Sequence, residues 1–277
     1  DDTCPGTTSG LAVDADGFAY LLCAGSCRVI KVAPDLSVVT VFGRRGEGPA
    51  EIENPRTIEV LGDQVLVFQS YRVDVFDREG RFHRRVRLTR DIWDTEVADG
   101  RILGTSHEGG HVIAVLDADG QLIGELGPAC GDGGYQDRFA RCGGRKLLVT
   151  RGAVRLIGLA DGRLSCEVAG QWREVDLGLE PGLVERRGGA VYRTHVVMAA
   201  CGVPQNGHAL LLYRDGDGDA PRRLGVLTPD FELTAVATVP SGVPIRNLKV
   251  SPAGDLWVDV GPDRVEVYAL APEGEGW

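Results

Sequence analysis

One turn chemistry recurs along this chain at near-regular intervals, and it narrows the possible folds more than any other feature. Short apolar runs are separated by Asp16-Gly17, Glu79-Gly80, Asp99-Gly100, Asp119-Gly120, Asp161-Gly162 and Ala253-Gly254. An acidic residue followed by glycine supplies the positive φ values of a tight hairpin at low steric cost. No window carries a convincing helical period. The runs group into six units, over residues 9–54, 55–90, 91–135, 136–175, 188–240 and 244–271. Their spacing, roughly 35 to 45 residues, is the size of a four-stranded propeller blade.

A lone blade would expose an apolar face on each side, so stacking in a ring is the way to bury both. The expectation is therefore an all-β, six-bladed β-propeller with blades of four antiparallel strands, filling one domain over 1–277. Innermost strands are expected near Leu11, Ile58, Glu96, Phe139, Val196 and Leu248. The fourth unit reads as Asp137 to Arg141, Lys146 to Thr150, Ala153 to Leu159 and Leu164 to Val168. The stretch Trp172 to Gly188 reads as an irregular insertion. The sixth unit shows three runs, so either Thr3 to Thr8 completes it or the ring closes on a short blade.

Glycine, at 39 of 277 residues, suits many tight turns, and a net charge of −10 argues against a nucleic-acid partner. No apolar stretch reaches the length of a membrane helix. The chain opens at Asp1-Asp2-Thr3-Cys4 without methionine, as it would after removal of a signal peptide. Seven cysteines without a metal motif favour disulfides in an oxidising compartment over buried thiols. Cys23 with Cys27, and Cys130 with Cys142, are the expected pairs, each bracketing a glycine-containing turn.

Phe42-Gly43-x-x-Gly46-Glu47-Gly48-Pro49-x-Glu51, followed by Asn54-Pro55, resembles the interblade signature of NHL-like six-bladed propellers. The nearest likeness is to secreted bacterial members, mostly uncharacterised. Gly10 to Tyr20, Val75 to Gly80 and Leu256 to Val258 carry the resemblance further, and Ile52 stands where the family usually has phenylalanine. The resemblance implies a propeller fold; its members include binding modules, lyases and lactonases, so it implies no single activity.

A lactonase-like site would need carboxylates with an Asn or His converging on Ca²⁺ or Zn²⁺ at the axis. Glu96 and Asn247, near inner strands, are the residues placed to face the channel. His107 and His111, four apart across two glycines, could meet a zinc ion over a hairpin. Asp215, Asp217 and Asp219 resemble half of a calcium loop, but Ala220 and Val226 stand where glycine and glutamate are required. Tyr135 and Trp172, within the long loops at 127–138 and 171–190, are candidate contact residues, and 201–207 is a third such loop. Cys201 and His208 are close enough in sequence to meet across a turn, although burial or a disulfide suits Cys201 better than catalysis.

A strong fold signal beside no coherent catalytic set gives the sequence reading. It is a non-catalytic, secreted or periplasmic platform binding a protein or a glycan, perhaps as a subunit of an envelope assembly, with Ca²⁺ or Zn²⁺ as the only cofactors to consider. The alternative is a metal-dependent hydrolase of the lactonase kind, or a lyase of the amidoglycolate kind.

Overall fold

The computed structural model describes residue 4 and residues 8–132, 145–150, 153–158, 163–168, 171–179, 184–187, 190–193, 197–203, 205–214, 221–240, 242–261 and 264–270. They form β-strands joined by turns, with no helix among the described residues.

Four strands make the first sheet: β1 (Thr8–Val13), β2 (Ala19–Cys23), β3 (Arg28–Val32) and β4 (Val38–Phe42). Two short strands, β5 (Arg44–Arg45) and β6 (Glu51–Ile52), pair in parallel within the linker that follows. The second sheet is β7 (Pro55–Leu61), β8 (Gln64–Gln69), β9 (Arg72–Asp77) and β10 (Phe82–Arg87). The third is β11 (Thr95–Ala98), β12 (Arg101–Thr105), β13 (His111–Leu116) and β14 (Leu122–Ala129). The fourth is β15 (Arg145–Thr150), β16 (Ala153–Gly158), β17 (Leu164–Val168) and β18 (Gln171–Val175). A separate hairpin, β19 (Val184–Arg187) and β20 (Ala190–Arg193), precedes the fifth sheet. That sheet is β21 (Val197–Gly202), β22 (Ala209–Arg214), β23 (Arg222–Leu227) and β24 (Leu233–Val239). The sixth has three described strands, β25 (Asn247–Val250), β26 (Asp255–Asp259) and β27 (Val265–Ala269).

The first strands of the six sheets, β1, β7, β11, β15, β21 and β25, each pack against the next, and β25 returns to β1. The architecture is the expected six-bladed propeller. Each blade interface holds one apolar cluster. Between blades 1 and 2 lie Tyr20, Leu22, Val29, Ile58, Val67 and Phe76. Between blades 6 and 1 lie Leu11, Leu21, Cys23, Ile30 and Trp257. Strand alternation explains the division: Tyr20 and Leu22 point to one neighbouring blade, Leu21 and Cys23 to the other. A strand covered on both faces is apolar at consecutive positions, as in Ala19–Cys23, where every residue is buried.

One five-residue turn closes six of the hairpins on one face of the ring. At Asp14, Ala33, Asp77, Asp117, Thr228 and Ser251 the backbone N–H of the first residue donates to the carbonyl of the fifth, at 2.8–3.0 Å. The fourth residue adopts positive φ in each: Gly17, Leu36, Gly80, Gly120, Phe231 and Gly254. Where aspartate leads, its Oδ1 accepts two further backbone N–H groups, as Asp77 does from Glu79 and Arg81. The residue pattern visible in the sequence is therefore a side-chain cap on each turn.

Three sequence expectations change here. The fourth unit is displaced by one strand: Arg145–Thr150 is its innermost strand and Gln171–Val175 its outermost. Phe139, expected on that inner strand, lies outside the described residues, as does Val196. The stretch read as an insertion supplies β18 and β19. Cys23 does not pair with Cys27 but with Cys4, with Cα atoms 5.5 Å apart. The cause is sidedness. Cys23 points into the cluster shared with blade 6, whereas Cys27 points into the one shared with blade 2. Cys27 remains a buried thiol. Cys130 is buried beside Leu147 and Leu156, and Cys142 lies outside the described residues.

Candidate functional site

Two places concentrate chemistry: the ring axis, and the mouth of the axis on the face opposite the five-residue turns.

At the axis, four blades contribute charge. β7 brings Glu59, β11 brings Glu96 with Asp94 immediately before it, β15 brings Lys146 and β25 brings Lys249. Lys249 Nζ lies 2.8 Å from Glu96 Oε2 and 3.5 Å from Glu59 Oε1. Lys146 Nζ lies 2.6 Å from Asp94 Oδ1, while the Leu147 N–H donates to Asp94 Oδ2 at 2.7 Å. Thr95 Oγ1 donates to Glu59 Oε1 at 3.1 Å and lies 3.1 Å from Thr57 Oγ1. Asn247 also lines this space, its amide donating to Asp259 at 3.1 Å.

Burial pushes the Glu59 carboxyl up to about 8, with the Glu96 charge adding to the shift and Lys249 opposing it. Burial pulls Lys249 down, but Glu59 and Glu96 outweigh it and hold the ammonium above the ordinary lysine range. Lys146 is likewise raised, burial being outweighed by Asp94. The space left among these groups is about 20 Å³, room for a single water. The axis is thus closed by internal ion pairs and admits no organic substrate.

At the mouth, Trp93 lies just before β11 and is 38% exposed. The Arg56 guanidinium stacks on it, 3.9 Å from the ring centroid, and the His107 ring lies 5.9 Å away at a 51° tilt. Arg56 is held by Asp91 Oδ2 at 3.0 Å and Ser70 Oγ at 3.1 Å. Tyr71, half exposed, has positive φ and donates its hydroxyl to Glu108 Oε1 at 2.5 Å. The second oxygen of Glu108 accepts the Asp91 N–H at 3.0 Å. Burial raises the Asp91 carboxyl above its ordinary range, Arg56 opposing and Glu108 adding. These residues come from the β8–β9 hairpin, the linker into β11 and the β12–β13 hairpin, three segments that only the ring brings together.

Sequence reasoning placed Glu96 and Asn247 correctly at the channel but missed Glu59, Asp94, Lys146, Lys249 and the Trp93 cluster. A signal existed: the chain has three lysines, Lys31, Lys146 and Lys249, and two of them sit inside apolar strand runs. His107 and His111 take different partners. His107 is buried beside Trp93, and His111 Nδ1 meets the Gly127 carbonyl at 2.7 Å. Among the described residues, no group of three or more His, Cys, Asp or Glu is arranged to hold a metal ion. Asp215, Asp217, Asp219 and Tyr135 lie outside the described residues. Trp172 is not on an open loop but on β18, half-buried against the cluster between blades 3 and 4. Burial pushes the Cys201 thiol up to about 12, so it is no nucleophile.

A separate apolar opening of about 560 Å³ lies between blades 5 and 6, lined in part by Val239, Val243, Ile245, Leu256, Val258 and Tyr268.

No family model matches this chain, and no curated protein matches it. Solved structures do. A catalytically inactive virginiamycin B lyase from Staphylococcus aureus, crystallised with quinupristin, is similar with a TM-score of 0.58 at 13% identity, over 96% of this chain and 84% of that one. A streptogramin B lyase gives 0.58 at 10% identity, over 94% and 93%. A chain of the mitotic checkpoint complex gives 0.63 at 12% identity, over 98% and 93%. At such identities these likenesses establish the propeller fold, shared by lyases and by a subunit of a protein assembly alike.

Proposed function

We propose that this chain is a non-catalytic propeller whose loop face binds a protein partner through Trp93, Tyr71 and Arg56. The observation that carries the reading is the stack of Arg56 on a partly exposed Trp93 at the mouth of an axis closed by ion pairs. Trp, Tyr and Arg are the side chains that most often dominate protein interfaces. Here they are fixed before any partner arrives, which lowers the ordering cost of binding. A glycan fits less well, because sugar stacking needs an open aromatic face, and Trp93 already carries a guanidinium on one face with His107 tilted against the ring. The lyase and hydrolase alternatives lack room for a substrate at the axis. The Cys4–Cys23 disulfide supports a secreted or periplasmic setting, and no helix of the described residues is long and apolar enough to cross a membrane. Membership of a larger assembly fits a rigid ring with one aromatic face.

Selection of a random peptide library on the immobilised protein tests the reading. The expected result is a consensus whose binding falls at least tenfold in Trp93→Ala and Tyr71→Ala, with the melting temperature little changed. Enrichment indifferent to both substitutions would move the binding face elsewhere.

A further inference from the structure

We infer that Lys249 is a built-in cation standing where a metal ion would stand on the ring axis, so that the axial carboxylates accept a divalent cation only once that lysine is removed. This goes beyond partner binding and does not depend on it. Three carboxylates from two adjacent blades, Glu59, Asp94 and Glu96, with the hydroxyls of Thr57 and Thr95, line the axis. Such a set of hard oxygens suits Ca²⁺ or Mn²⁺. It is already neutralised. The Lys249 ammonium bridges Glu96 and Glu59 at 2.8 and 3.5 Å, and Lys146 holds Asp94 at 2.6 Å.

Charge counting shows how close the balance is. Three carboxylates face two ammonium groups, and the raised Glu59 keeps its proton near neutral pH, which leaves two charges of each sign. A divalent cation entering this cluster would meet Lys249 at contact distance, in a space of about 20 Å³. The ammonium cannot readily shed its proton to make way, because both neighbouring glutamates hold it in the charged form. Without Lys249, the same oxygens would enclose an excess of negative charge and the volume of the departed side chain.

The experiment compares the full chain with Lys249→Met and Lys249→Gln, by metal analysis and by thermal melting in EDTA, Ca²⁺ or Mn²⁺. The wild type is expected to carry no stoichiometric metal and to melt at the same temperature in all three. Each variant is expected to melt lower in EDTA and to regain several degrees in Ca²⁺ or Mn²⁺, a response abolished by adding Glu59→Gln and Glu96→Gln. Should a variant be recovered unfolded, refolding that depends on Ca²⁺ or Mn²⁺ supports the inference. Folded variants indifferent to both ions overturn it, as do unfolded variants that neither ion rescues. One metal per wild-type chain, lost on Glu96→Gln, overturns it as well.

Discussion

Arg85 offers the sharpest test of how the interblade linker at 43–54 is held. Its Nε lies 2.6 Å from Asp74 Oδ1 and its Nη2 lies 2.7 Å from Asp74 Oδ2, a two-pronged pairing with a carboxylate that is wholly buried. The same guanidinium donates to the carbonyls of Glu47, Gly48 and Glu51. One cation therefore neutralises a core aspartate of blade 2 and pins the linker arriving from blade 1. Replacing it with methionine keeps the bulk of the stem but strands Asp74 without a counter-charge. Breaking a buried pair from one side costs about 3–5 kcal/mol. The three carbonyls can turn to water and add little. For a chain of this size the loss corresponds to a fall in melting temperature of roughly 6–20 °C. Urea denaturation of Arg85→Met measures the loss directly, and Arg85→Met/Asp74→Asn should recover most of it by removing the stranded charge. Trypsin provides the second readout, since Arg44 and Arg45 lie in the released linker and should be cut faster in the single variant. A single variant within 1 kcal/mol of wild type, on the scale of ordinary surface changes of about 0.5 kcal/mol, would refute this account of the linker.

The Glu59 carboxyl sits at about 8 in the fold against an ordinary 4.5, so the native state keeps a proton that the unfolded chain releases. Its effect on stability is therefore a decline as pH rises from about 4.5 to about 8, and Glu59→Gln should flatten that decline in denaturant titrations across the range. The lysine contributions run differently: both are raised, so they persist until pH exceeds about 10.5, the ordinary lysine value. Reducing the Cys4–Cys23 bond, which spans 19 residues, should cost about 3 kcal/mol, and peptide mapping should find Cys4 linked to Cys23 with Cys27 as a thiol. Gly62 and Gly80 both have positive φ, but a Cβ on Gly62 meets nothing within 4 Å while one on Gly80 lies 2.6 Å from the Phe42 ring. Gly62→Ala should therefore cost only about 1 kcal/mol of backbone strain, and Gly80→Ala clearly more, measured by melting.

What the sequence revealed followed range. The five-residue turns were legible because their chemistry is local: Asp77 caps N–H groups two and four residues ahead. The six units followed from those turns. The disulfide was misread because sequence proximity suggested Cys27 for Cys23, whereas the decisive fact is which neighbouring blade each side chain faces. The phase of the fourth blade slipped because several runs between 137 and 175 read as strands, and only packing against the axis selects the innermost. Glu59 and Lys249 were passed over because a charge within a strand ordinarily marks the solvent side. Their mutual distance, set by ring closure, leaves no local trace. The Trp93 cluster is likewise assembled from three hairpins and linkers that are remote along the chain.

The ion pair between Lys249 and Glu96 joins positions 153 residues apart, one from the last blade and one from the third. During synthesis the acidic members of the axis emerge well before Lys249. A ring that tried to shut on five blades would trap glutamates in a dry interior with no ammonium to meet them, a costly state. The hub charges thereby keep count: they penalise premature circles and reward the sixfold one, giving the repeat array a way to know when it is finished.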